Sequence, residues 1–152
     1  MPNFSLTTNW EIPAPIETVW LAILDTEQWP NWWKYVKKVE EIEPGDSSGT
    51  NNIRRYFWQT RLPYQLILDL EVTKLQPYQS ISVNVSGDLE GKGYCKLSVQ
   101  QQNTSIFFIW NVKTCKHWMN RFPVISHPVF VWNHSQVMKQ GEKSLIQRLS
   151  YN

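Results

Sequence analysis

Charge is what this chain has least of. Asp, Glu, Lys and Arg together make up 18% of its 152 residues, and the formal net charge is only +2. It has no Lys/Arg block, and Lys37–Lys38 and Arg54–Arg55 sit in strand-like segments that can hold them on a solvated face. No nucleic-acid partner is expected. Cysteine is equally scarce: Cys95 and Cys115 lie far apart and follow no metal-ligand spacing. Two cysteines without a signal peptide fit free thiols in a reducing cytosol, so the expected location is cytoplasmic. Met1 to Trp10 alternates like a strand, not a targeting segment. No run approaches the ~18 apolar residues of a membrane span, so no stable membrane insertion is expected. The spacing of His117, His127 and His134 matches no tight ligand pattern. A phosphate loop, a dinucleotide fingerprint and a Ser or Cys nucleophile signature are all missing, so neither a metal nor a cofactor is expected.

Aromatics are what the chain has instead, at 14% with nine tryptophans. One domain over residues 1–152 is expected, long enough to bury ~70% of the surface of the unfolded chain. Phe4, Leu6, Thr8, Trp10 and Ile12 fall on one side of a first strand. Pro15 then opens a helix from a first-turn position, with Ile16, Val19, Trp20 and Ile23 as its apolar face. Thr26 is placed to cap a second short helix through Trp29–Trp33, whose tryptophans are expected to plug one end of the sheet. From Val36 the period changes to two. Strands are predicted over Val36–Glu43, Thr50–Thr60, Tyr64–Gln76, Ser80–Ser86, Glu90–Gln101 and Ser105–Lys116, with turn chemistry between them. The run Ile106–Trp110 predicts a strand covered on both faces. Gly87, Gly91 and Gly93 suggest bulges or strong curvature.

A long helix is predicted over Pro128–Leu149, with Phe130, Val137, Met138, Leu145 and Leu149 as its apolar stripe. His134 and Gly141 interrupt that stripe. Glycine in a helix interior costs ~1 kcal/mol relative to alanine, so Gly141 leaves room either for a cavity or for close packing against a strand. The order is one strand, two short helices, six strands and one long helix. That is an α+β helix-grip fold, a curved antiparallel seven-stranded sheet wrapped around a long C-terminal helix.

Local motifs strengthen this reading. Glu11-Ile12-Pro13-Ala14-Pro15 with Val19-Trp20 and Trp29-Pro30-Asn31-Trp32 resembles the opening of the START-like (SRPBCC) superfamily. Leu62-Pro63-Tyr64, Gly87-Asp88-Leu89-Glu90-Gly91, Trp110-Asn111-Val112-Lys113-Thr114, Trp118-Met119, Asn133-His134, Val137-Met138 and Gly141-Glu142 resemble its polyketide cyclase/dehydrase and lipid-transport branch. Serine at 144 departs from the second small residue that often follows the helix glycine. The resemblance implies a deep apolar pocket, but functions within the family differ widely.

It leads to three functional expectations. The first is binding or carrying of a hydrophobic small molecule, lipid-, isoprenoid- or polyketide-like, between sheet and last helix. The second is an aldol-type cyclase or dehydratase, with His134 as general base and the Tyr56 hydroxyl stabilising an enolate. The third is a co-chaperone-like interaction module. Trp58, Tyr64, Tyr94, Trp110, Phe130, Met138 and Gly141 are the expected ligand-lining residues. His134 either faces the pocket as a neutral imidazole or is a satisfied core histidine. Tyr56 and Trp58 are expected inside, with Phe57 outside. Asn133, one step of about 100° round the helix, is expected to face elsewhere, and Glu142 to be a solvated flank. Asp69 and Glu71 are expected on a solvated face. Trp118–Trp132 reads as a lid, a gate or a surface for transient membrane contact. The oligomeric state stays open.

Overall fold

The computed structural model describes residues 3–60, 65–115 and 127–150. The chain runs β1 (Asn3–Ile12), α1 (Ile16–Leu24), a 3-10 helix (Thr26–Asn31), β2 (Val36–Glu43), β3 (Ile53–Gln59), β4 (Gln65–Gln76), β5 (Ser80–Gly87), β6 (Leu89–Gln100), β7 (Asn103–Thr114) and α2 (His127–Ser150). The seven strands form one antiparallel sheet in the order β1-β7-β6-β5-β4-β3-β2. Only β1 is out of sequence: it pairs along its whole length with β7, from Asn3 opposite Lys113 to Ile12 opposite Thr104. This is the α+β helix-grip fold read from the sequence.

Alternation decides what each strand buries. Phe4, Leu6, Trp10 and Ile12 of β1 enter the core, as do Leu68 and Leu70 of β4 and Leu89, Cys95 and Leu97 of β6. On the outer face of β3 and β4, Arg55 forms a two-pronged pair with Asp69, at 2.8 and 3.0 Å. β7 buries Ile106, Phe108 and Val112, but Phe107 on its other face is exposed. The apolar run therefore does not require cover on both sides.

The helical segments differ from expectation in detail. Pro15 precedes α1 in an extended conformation, and its carbonyl accepts the amide of Val19 at 3.1 Å. The missing proline N–H thus costs no hydrogen bond. The second segment is a single 3-10 stretch from Thr26, with Pro30 inside it and no side-chain cap. Thr26 is buried and does not act as a cap. Trp32 and Trp33 follow and are buried, closing one end of the core as expected.

Two glycines accept tryptophan rings. A Cβ on Gly93 would stand 2.6 Å from the Trp110 ring, so β6 lets that indole lie flat across it. A Cβ on Gly141 would stand 2.5 Å from the Trp33 ring. Trp33 Nε1–H donates to the Val137 carbonyl at 3.0 Å, clasping α2 to the segment before β2. The gap in the helix stripe is thus filled by Trp33. Of the two readings of Gly141, close packing is the correct one, although the partner is an indole and not a strand.

Candidate functional site

Between the sheet and the first half of α2 lies a cavity of about 100 Å³. β4 contributes Leu66, Leu68 and Leu70 to its wall; β7 contributes Phe108, Trp110 and Val112; α2 contributes Phe130, Asn133, His134, Val137 and Met138. Leu6, Leu89 and Trp58 complete the floor, and Trp29 and Trp33 close the end. Trp58 meets Trp33 edge-on at 5.0 Å, and Phe130 packs on Phe4 at 4.4 Å. Besides the indoles of Trp29, Trp33, Trp58 and Trp110, of which Trp29 donates to the Ala22 carbonyl at 3.1 Å and Trp33 to that of Val137, the polar lining is Thr60, Asn133 and His134.

His134 is the polar group with the clearest character. Its Nε2 is buried and has no hydrogen-bond partner among the described residues. Burial pushes its pKa down to about 4, because the charged imidazolium would lose its hydration. The side chain is neutral near pH 7. His134 also borders an outer cleft between β1 and α2, together with Ser5, Lys139 and Glu142. The imidazole is therefore part of the wall between the cavity and that cleft. Glu142 sits on the flank, where Oε2 accepts the Glu11 amide at 2.8 Å.

A second chamber of about 420 Å³ adjoins the first, between the α1 and 3-10 segments and the loop before β3. The two share Trp29, Leu70, Phe108 and Trp110, which form the waist between them. Tyr56 lines this second chamber. It is buried, its hydroxyl lies by that of Thr26, and burial pushes its pKa up to about 12. It is a proton donor, not a phenolate.

These positions sort the expected residues. Trp58, Trp110, Phe130 and Met138 line the first chamber together with His134. Tyr56 and Trp58 face inward, as their alternation with Phe57 implies. His134 and Tyr56 do not meet: they line different chambers, so the arrangement of both groups on one carbonyl is corrected. Tyr94 borders the second chamber and not the first. It is 38% exposed, because Gly93, Cys95 and Leu97 take the inward positions of β6. Gly141 contacts Trp33 and does not line the cavity. Tyr64 and residues 118–126 of Trp118–Trp132 lie outside the described residues. Of the remainder of that segment, Val129 and Trp132 are exposed, Trp132 at 57%.

Asn133 was not expected here. The cavity spans a wide arc of α2, so 130, 133, 134, 137 and 138 all border it, and a buried asparagine beside a histidine falls inside that arc. Thr26 was read as a cap, and only its burial reveals its place in the second chamber. Cys95 is buried, and its thiol is pushed up to about 12, which makes it unreactive. No group of metal-binding side chains occurs among the described residues, and no described helix is long and apolar enough to cross a membrane.

Solved structures share this architecture. A START superfamily protein from Mycobacterium smegmatis superposes with a TM-score of 0.75 at 14% identity, covering 97% of each chain. The Zhui aromatase/cyclase from a Streptomyces species gives 0.77 at 11% identity, covering 97% of this chain and 93% of its own. Major latex-like protein 151 from Panax ginseng gives 0.67 at 9% identity, covering 93% and 96%. At such identities the likeness is one of fold. No curated protein matches the sequence significantly. The sequence profile described as "Polyketide cyclase / dehydrase and lipid transport" matches residues 3–113, through all seven strands to the end of β7. The chain belongs to that family.

Proposed function

We propose that the chain binds and carries a hydrophobic small molecule, lipid-, isoprenoid- or polyketide-like, in the cavity between its sheet and α2, within the cytoplasm. The observation that carries this reading is the apolar lining of the first chamber, into which the buried, unpartnered Nε2 of His134 is set. Apolar burial supplies the affinity: a ligand burying ~200 Å² of apolar surface gains roughly 5 kcal/mol at ~25 cal/mol per Å². His134 supplies one polar point of orientation. Cys95 and Cys115, which form no disulfide with each other, agree with a reducing compartment. Val129 and Trp132, exposed on the first turns of α2, are the surface for transient contact with a membrane during loading.

Native mass spectrometry of the protein after exposure to a lipid and isoprenoid extract tests the reading. A retained adduct that Val112→Phe removes supports it; no adduct from any extract overturns it.

The second reading is an aldol-type cyclase or dehydratase. It is favoured by the shared fold of the Zhui aromatase/cyclase and by the presence of Asn133 next to His134 in one chamber. A histidine whose conjugate acid has a pKa of about 4 is a weak base near neutrality, which favours the carrier. His134→Ala separates the two: ligand retained with turnover lost identifies the enzyme.

A further inference from the structure

The second chamber holds polar atoms that its neighbours leave unmet. Thr26 and Asn52 are both more than nine-tenths buried and both line it. Asn52 Oδ1 has no hydrogen-bond partner among the described residues, and the Thr26 hydroxyl has no well-formed one. The Asn52 amide is oriented from its other end, where Nδ2 donates to Glu41 Oε1 at 3.1 Å and to the carbonyls of Glu43 and Pro44 at 3.0 and 3.2 Å. That leaves Oδ1 as a fixed acceptor. The Tyr56 hydroxyl, buried beside Thr26, is a donor. Buried polar atoms without partners are costly, so a ligand that brings both a donor and an acceptor is favoured here.

Charge narrows the choice. Arg54 lines the same chamber, but its guanidinium is already paired with Glu27 and lies 3.7 Å from Glu41. One cation facing two carboxylates offers an incoming anion no net attraction, and Asn52 Oδ1 repels a carboxylate. A neutral hydroxyl meets the site: it donates to Asn52 and accepts from Tyr56 or Thr26. The two chambers meet at Trp29 and Trp110, so a hydrocarbon chain anchored at this end would point towards the chamber beneath α2.

We propose that the cavity takes an elongated neutral amphiphile, an aliphatic or isoprenoid alcohol, with its hydrocarbon beneath α2 and its hydroxyl held by Thr26, Asn52 and Tyr56. This rests on the hydrophobic-ligand reading and adds to it the head group and its orientation.

Decanol, decanoate and decane are the probes, titrated against the full chain and followed by tryptophan fluorescence. Decanol is expected to bind ~10-fold or more tightly than either of the others, the effect of two net hydrogen bonds. The Thr26→Val/Tyr56→Phe double variant is expected to bring decanol close to decane while leaving decane unchanged. If the double variant fails to fold, Tyr56→Phe alone decides: it keeps the ring packed on Trp29 and is expected to weaken decanol roughly fivefold. Decanoate binding as tightly as decanol, or an undiminished decanol preference in the variants, overturns the head-group assignment. Binding of all three without preference overturns that assignment only. Binding of none overturns the hydrophobic-ligand reading as well.

Discussion

A single added methyl group tests the fit of Trp33 against α2. Gly141→Ala would gain ~1 kcal/mol of helix propensity, but its Cβ would press on the Trp33 ring, whose Nε1–H is held by the Val137 carbonyl. Overpacking of this kind costs ~1–3 kcal/mol, so the variant is expected to be less stable by roughly 1 kcal/mol in urea unfolding. His134 makes a pH-dependent counterpart. The unfolded chain takes up its proton below 6.5, whereas the native state refuses it down to about 4. Stability therefore falls as pH drops through that window and levels off below it, by roughly 3 kcal/mol in all. His134→Gln is expected to flatten that part of the stability profile, measured by urea unfolding at several pH values. Residues of this kind were only half legible. The parity of Gly91, Gly93, Cys95 and Leu97 contained the outward position of Tyr94, since the inward set of a strand excludes its alternates. The match of Trp33 with Gly141 was not legible, because no local pattern links positions so far apart.

Among the elements, the loop between β2 and β3 has its own internal support. The Asp46 carboxylate accepts the Ser48 hydroxyl at 2.5 Å and the Ser48 backbone amide at 2.9 Å, the Thr50 hydroxyl at 2.9 Å and the Asn51 side-chain amide at 3.0 Å. These bonds hold the carboxyl down at about 2, first through Ser48 and then Thr50. The contribution is present above the ordinary carboxylate value of 3.8 and is lost only as pH falls towards about 2. Ser47, Ser48 and Gly49 of this loop border the second chamber. Asp46→Ala is expected to raise amide hydrogen exchange at Ser48 and Asn51 about tenfold, with the thermal midpoint nearly unchanged, since the loop opens locally. Element identities were legible where periodicity was long, as in β4, β6 and α2. The 3-10 stretch was not, since burial of Thr26 against Tyr56 overrides its preference for capping.

For the molecule as a whole, the cavity and the stability of the fold are separable. Val112 is buried on the wall of the first chamber, opposite Gly91 on β6. Val112→Phe is expected to fill part of the void, leave the thermal midpoint unchanged or higher, and weaken ligand binding at least tenfold by titration. The presence of a cavity under α2 was legible from the resemblance. Its division in two was not, because the waist is formed by Trp29, Leu70, Phe108 and Trp110 from three separate elements. The pairing of β1 with β7 also governs how the chain is made. β1 leaves the ribosome first, yet its partner lies about a hundred residues later, a delay of roughly 5–20 s at ordinary translation rates. Through that interval Trp10 and Ile12, destined for the deepest part of the core, have no sheet to join. The chain is born with a core strand unpaired, and the exposure of that strand during synthesis follows from topology alone.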